Sequence, residues 1–186
     1  MANKRQIRFL EPSEIEAMIA KIRRRGERNL RDRALLAVLF STGLRVSEAL
    51  ALPSKEFDPK AGVPETKELS IVGKGGWQRT IYFSPTALIA IFEYQCVRDD
   101  KQEPLLFPIT PRCVQKMIKR VAVKAGITKF VSPHVMRHSY ATDLLNKGVD
   151  IRFVQEFLGH RSISNTMIYA HVANSRLKKI HIDLYK

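Results

Sequence analysis

The chain has 186 residues, 45% of them apolar, which fits one globular domain with a core of its own and argues against both a two-domain enzyme and a disordered chain. No apolar run reaches the roughly 18 residues of a membrane span, and the opening MANKRQIRFLEPSE has no apolar signal core or small-residue cleavage site, so a cytoplasmic protein without a membrane partner is expected. Lys and Arg outnumber Asp and Glu by 32 to 18. The net charge of +14 is spread unevenly, with balances of +5 over 1–33, −1 over 34–111 and +10 over 112–186, which favours a polyanionic partner such as nucleic acid. Cys96 and Cys113 have no metal or redox spacing and read as two small core residues without a role.

In chain order, Ser13-x-x-Glu16 behind Pro12 has the form of a capping box, and Ile15, Met18, Ile19 and Ile22 recur at i, i+3, i+4, i+7, so an amphipathic helix opens the chain. Asn29 is the expected cap of a second helix through LRDRALLAVLFST, apolar on most sides and stopped by Gly43. A short helix follows over RVSEALAL. The runs ELSIV and RTIYF, joined by GKGGWQ, read as a β-hairpin with a glycine-rich turn. Ser84-Pro85, Thr110-Pro111 and Ser132-Pro133 each pair an N-cap with a first-turn proline and launch three more helices. Asp150 caps a further one over IRFVQEFL, ended by Gly159, and a last helical stretch begins near Ser164. Together these give a mainly α fold carrying a small antiparallel β-sheet (α+β) in a single unit, with no internal repeat or linker.

His134, Arg137 and His138 share one face of a helix, where a guanidinium and an imidazole can grip one anion and move a proton near neutral pH. His134-x-x-x-His138 also has the spacing of a zinc pair. However, Val135 stands where such sites carry glutamate, Arg137 would place a cation beside the metal, and no Cys or carboxylate completes the shell, so no metal is expected. Taken alone, H-x-x-R fits an ordinary core or surface helix with scattered His and Arg better than a site.

The order of motifs changes that balance. STGLRVSEALAL, then VGKGGWQR, then SPHVMRHSYATDLLNKGVDIRFVQEFLGHRSISNTMIYAHV closely resembles the tyrosine recombinase, or phage integrase, family, most of all its Xer-type branch, from about Leu10 to the C-terminus. The resemblance implies that family's catalytic-domain fold and a metal-free, ATP-independent enzyme that cleaves and rejoins double-stranded DNA through a 3′-phosphotyrosyl intermediate, with chemistry like that of type IB topoisomerases. Position by position, it implies Arg45 and Arg137 as the active-site arginines, Glu48 as the acid supporting Arg45, and Lys74 as the mobile lysine of the hairpin turn. His134 and His160 take the two imidazole positions and Tyr169 that of the nucleophile. Such a set is physically coherent. Cations stabilise charge developing on phosphate oxygens, while a phenol of ordinary pKa near 10 needs a proton acceptor, for which His134 is the expected group. Tyr82, Tyr94, Tyr140 and Tyr185 match no nucleophile position, and His138 and His171 are supporting neighbours.

Trp77, Asn165 and Ala170 depart from common family residues without touching the catalytic set. The family's helical core-binding domain has no counterpart ahead of the first helix, so 1–186 is expected to be one catalytic domain whose independent recombination is in doubt. The amphipathic segment 173–186 is expected to dock on a neighbouring protomer in a homotetramer on DNA, the free chain being monomeric, with no small-molecule substrate. The competing readings are a catalytically silent DNA-binding module and a topoisomerase IB-like nicking and resealing enzyme.

Overall fold

The computed structural model describes residues 8–73, 76–160 and 162–169. Helix α1 spans Pro12–Ala20. It starts earlier than Ser13 suggests: with Pro12 in its first turn, Glu11 becomes the cap residue and its N–H donates to Glu14 Oε2 at 2.8 Å. Proline gives up only an N–H that a helix start leaves unpaired anyway. Helix α2, Glu27–Thr42, likewise begins ahead of Asn29, because Gly26 turns the chain at φ +80°. Asn29 lies inside the first turn and donates its side-chain amide to the Arg25 carbonyl at 2.9 Å.

Gly43 ends α2 in the left-handed conformation, and α3 (Val46–Leu50) follows. Two 3-10 turns, Ser54–Phe57 and Pro59–Ala61, lead into β1 (Lys67–Val72) and β2 (Gln78–Phe83). The strands pair antiparallel, Lys67 opposite Phe83 and Val72 opposite Gln78. Helices α4 (Pro85–Val97), α5 (Pro111–Lys124) and α6 (Pro133–Asn146) begin where the Ser-Pro and Thr-Pro pairs predict. The Ser84, Thr110 and Ser132 hydroxyls accept the N–H groups of Ala87, Cys113 and Val135 at 3.2–3.3 Å. Helix α7 (Ile151–Leu158) is capped by Asp150, which accepts the Arg152 N–H at 2.8 Å, and α8 (Ser164–Met167) is the last element described.

The main core forms around α2, whose Leu35, Leu36, Val38 and Leu39 are buried on most sides of the helix and which packs most extensively on α4. A second, smaller cluster gathers Ala141, Leu145, Val154 and Leu158 of α6 and α7 around the ring of Tyr169. Cys96 and Cys113 are both exposed, contrary to their reading as core residues. The buried stripe of α5 runs through Val114, Met117, Ile118 and Val121, and Cys113 falls beside it. Tyr94 is buried, Tyr82 is exposed, and Tyr140 is half-buried against Gly43. Lys74, His171, Tyr185 and the segment 173–186 lie outside the described residues. No helix among those described is long and apolar enough to cross a membrane.

Candidate active site

Three separate stretches of chain meet on the carboxylate of Glu48. At the third position of α3 it turns back to accept the Arg45 N–H at 2.8 Å, and its Oε1 accepts Arg45 Nη1 at 2.9 Å. Arg79, from β2, donates to both oxygens, Nη1 to Oε1 at 3.1 Å and Nη2 to Oε2 at 2.8 Å. Arg137, from α6, approaches Oε2 at 4.0 Å while donating Nη1 to the Gly43 carbonyl at 2.7 Å and Nη2 to the Leu158 carbonyl at 2.5 Å. Those two carbonyls end α2 and α7, where a helix leaves its oxygens unpaired. A guanidinium there is both satisfied and fixed in direction. The side chain of Arg45 remains 31% exposed while those of Glu48, Arg79 and Arg137 are nearly buried.

The imidazoles and the phenol lie beside this cluster. Tyr169 is 1% exposed and its hydroxyl hydrogen-bonds to His138 Nδ1, with the two rings tilted at 59°. The residue meeting Tyr169 is therefore His138, one helical turn from the expected His134, which is exposed in the first turn of α6. His160, directly after the left-handed Gly159, places Nδ1 2.9 Å from Thr166 Oγ1, and its carbonyl accepts Gln155 Nε2 at 2.9 Å. The hairpin turn closes with the Gly73 N–H donating to the Trp77 carbonyl at 2.8 Å. Lys74 falls within that turn, outside the described residues.

Proton affinities follow from this packing. Burial alone would raise the pKa of Glu48, but hydrogen bonds from Arg79 and the Arg45 N–H, with the Arg79 charge, outweigh it and bring it down to about 2. Burial, and then repulsion by Arg45, lowers Arg137 to about 10, still protonated at pH 7. His160 is lowered to about 4, first by burial and then by Arg137 and Arg45. His138 is lowered by burial, His134 and Arg137. Burial pushes Tyr169 up to about 12, against the pull of Arg137. At neutral pH three guanidinium ions thus surround one carboxylate, with both half-buried imidazoles and the phenol neutral. The surplus of about two positive charges suits an anion, and phosphate oxygens match guanidinium donors well.

Arg79 and the His138–Tyr169 contact are the parts that sequence reasoning missed. A signal for Arg79 was present: it alternates with Ile81 and Phe83 along β2, so a charged residue occupies the inward face of a strand. For His138 the i, i+4 spacing allowed either histidine to reach the tyrosine.

The family model described as the phage integrase family matches residues 8–176. Tyrosine recombinase XerC of Listeria welshimeri is 36% identical to this chain over 188 residues, covering 94% of the chain and 61% of the relative. Tyrosine recombinase XerD of Vibrio cholerae is 36% identical over 184 residues, covering 92% and 59%. The chain thus spans about three fifths of the length of these curated relatives. In the crystal structure of the XerH site-specific recombinase bound to a palindromic difH substrate, a post-cleavage complex, the fold is matched with a TM-score of 0.78 at 27% identity, over 97% of this chain and 54% of that one. The motif order read from the sequence, the mainly helical fold with its two-stranded sheet and these matches agree: the chain belongs to the phage integrase family of tyrosine recombinases.

Proposed function

We propose that this chain is the catalytic domain of a site-specific DNA recombinase acting in the cytoplasm on double-stranded DNA. The observation that carries this reading is the gathering of Arg45, Arg79 and Arg137 on a single carboxylate, within the electrostatic reach of His160 and Tyr169. Arg45 and Arg137 hold the non-bridging oxygens of the scissile phosphate. His160 is neutral, and in the tautomer whose Nδ1 accepts the Thr166 hydroxyl its Nε2–H donates to the same phosphate. The oxygen of Tyr169 attacks phosphorus, the bond to the 5′-oxygen breaks, and Lys74 gives that oxygen its proton. The resulting 3′-phosphotyrosyl bond conserves the phosphodiester energy, so a 5′-hydroxyl from another strand reverses the step without ATP. The arginines supply the positive charge the transition state needs without a metal ion.

In the conformation described here Tyr169 is a neutral, buried phenol, and a neutral His138 of lowered pKa is too weak a base to ionise it. Attack therefore requires the α8 segment to turn Tyr169 out of its apolar cluster towards the arginines, where His134, exposed at the start of α6, takes the proton. Assembly on DNA is a homotetramer in which the 173–186 segment of one protomer docks on the next. A groove of about 960 Å³ supports this, with Phe40, Tyr82, Tyr140, Phe153 and Phe157 on its walls and Asp143 and Glu156 among its charged lining.

The test is covalent trapping on nicked duplex DNA in EDTA, quenched in detergent, with the adduct mapped by mass spectrometry and Tyr169→Phe as control. An adduct on Tyr169 is expected. An adduct on another tyrosine overturns the assignment, and bound DNA that is never cleaved, by this chain or by an N-terminally extended one, overturns the enzymatic reading.

A further inference from the structure

We propose that Arg79 is a positioning residue that locks the anion-binding groups of the site into one register by acting through Glu48 and the end of α7. Its side chain is 8% exposed and three of its N–H directions are already occupied: two on the Glu48 carboxylate, and Nε on the Phe157 carbonyl at 3.2 Å. It therefore has no need of DNA to be satisfied. Glu48 in turn aims Arg45, and Phe157 lies three residues ahead of His160. The arginine is also enclosed by two glycines. A Cβ on Gly159 would meet its Nη1 at 2.8 Å and its Cδ at 2.9 Å, and a Cβ on Gly73 would meet Nη1 at 3.0 Å. Gly73 is the residue before Lys74 and Gly159 the residue before His160, so the backbones leading to two proposed catalytic groups are seated against this one guanidinium.

A lysine has the same charge but one compact ammonium, which cannot span a carboxylate and a carbonyl at fixed angles. The substitution Arg79→Lys thus separates geometry from charge. The proposal rests on the recombinase reading for its rate measurement, and a titration with inorganic phosphate, followed through the ring signals of His160, provides a readout that does not.

The variants Arg79→Lys, Arg79→Gln and Glu48→Gln, and the pair Arg79→Lys/Glu48→Gln, are compared with the unaltered chain. Adduct rate on nicked duplex, DNA affinity, melting temperature and phosphate affinity are each measured. The expected result is a loss of about 100-fold in adduct rate for both Arg79 variants, the size typical of a misplaced reactive group. Phosphate should bind several-fold more weakly, duplex affinity should stay within about threefold, and the double variant should fall no further than the worse single, because both act through one carboxylate. Full activity in Arg79→Lys overturns the proposal, leaving Arg79 as a mere neutraliser of Glu48. A rate loss that simply tracks duplex affinity also overturns it, making Arg79 a DNA contact. If Arg79→Gln fails to fold, Arg79→Lys and the gentler Gly73→Ala, which crowds Arg79 without removing it, decide. If neither the unaltered chain nor an N-terminally extended one forms an adduct, the recombinase reading fails and the phosphate titration alone decides whether Arg79 organises the anion site.

Discussion

Tyr169 is buried, and its hydroxyl has the half-buried imidazole of His138 as its partner. Replacing His138 with Phe leaves the phenol hydroxyl buried without its partner, and a loss of about 1–3 kcal/mol is expected. Removing both polar groups, in His138→Phe/Tyr169→Phe, restores most of that loss, a contrast that urea denaturation of the three variants measures. His160 imposes a pH dependence of its own. Its folded pKa of about 4 is below the ordinary 6.5, so between those values the unfolded chain binds a proton that the folded chain refuses. Its cost is absent above pH 6.5, and stability falls as the pH drops from there towards 4. Glu48 acts lower down, its stabilising contribution being lost as the pH falls from 4.5 through about 2. Comparing urea midpoints at pH 7 and pH 5 tests this: His160→Gln should show a smaller drop than the unaltered chain.

The ends of the helices do much of the positioning. Gly43 terminates α2 at φ +61°, its carbonyl takes Arg137, and its missing side chain leaves room for the ring of Tyr140. A Cβ there would lie 2.3 Å from Tyr140 Cδ1 on a backbone that L-residues adopt at a cost. Gly43→Ala is therefore expected to destabilise the fold by about 2–4 kcal/mol, combining left-handed strain with overpacking. Thermal melting measures it, with Gly126→Ala as the comparison, because at φ +73° that glycine has the strain and no neighbour within 4 Å. The smaller loss expected for Gly126→Ala isolates the contribution of Tyr140. Helix α7 contributes in the same manner: its last carbonyls hold Arg79 and Arg137, and Gly159 then swings the chain so that His160 faces Thr166.

At the scale of the molecule, a net charge of +14 predicts that duplex binding is dominated by phosphate contacts and counterion release. With about six phosphates neutralised, affinity should fall roughly 10³-fold between 50 and 200 mM salt. Fluorescence anisotropy of a labelled duplex across that range checks the slope, and a nearly flat response would exclude phosphate-dominated binding. The fold makes such a surface compatible with a buried site, because the main core around α2 and α4 is separate from the small cluster holding Tyr169.

The sequence by itself determined the family, the order of elements and the identity of most candidate groups. Gly43, Gly159 and the Ser-Pro and Thr-Pro pairs act over a few residues, so their effects are legible locally. The starts of α1 and α2 were misplaced because Pro12 and Gly26 compete with Ser13 and Asn29 over the same few residues, and small backbone preferences choose between them. Cys96 and Cys113 were misjudged because composition ranks residue types and says nothing about which side of a helix a residue occupies. Only the tertiary structure decided that His138 holds Tyr169 and that Arg79 completes the cluster on Glu48. Helical spacing could not choose between His134 and His138, and Arg79 is joined to its partners by chain closures of 31 and 78 residues. Such contacts form only when the core brings distant elements together, since no local preference encodes them.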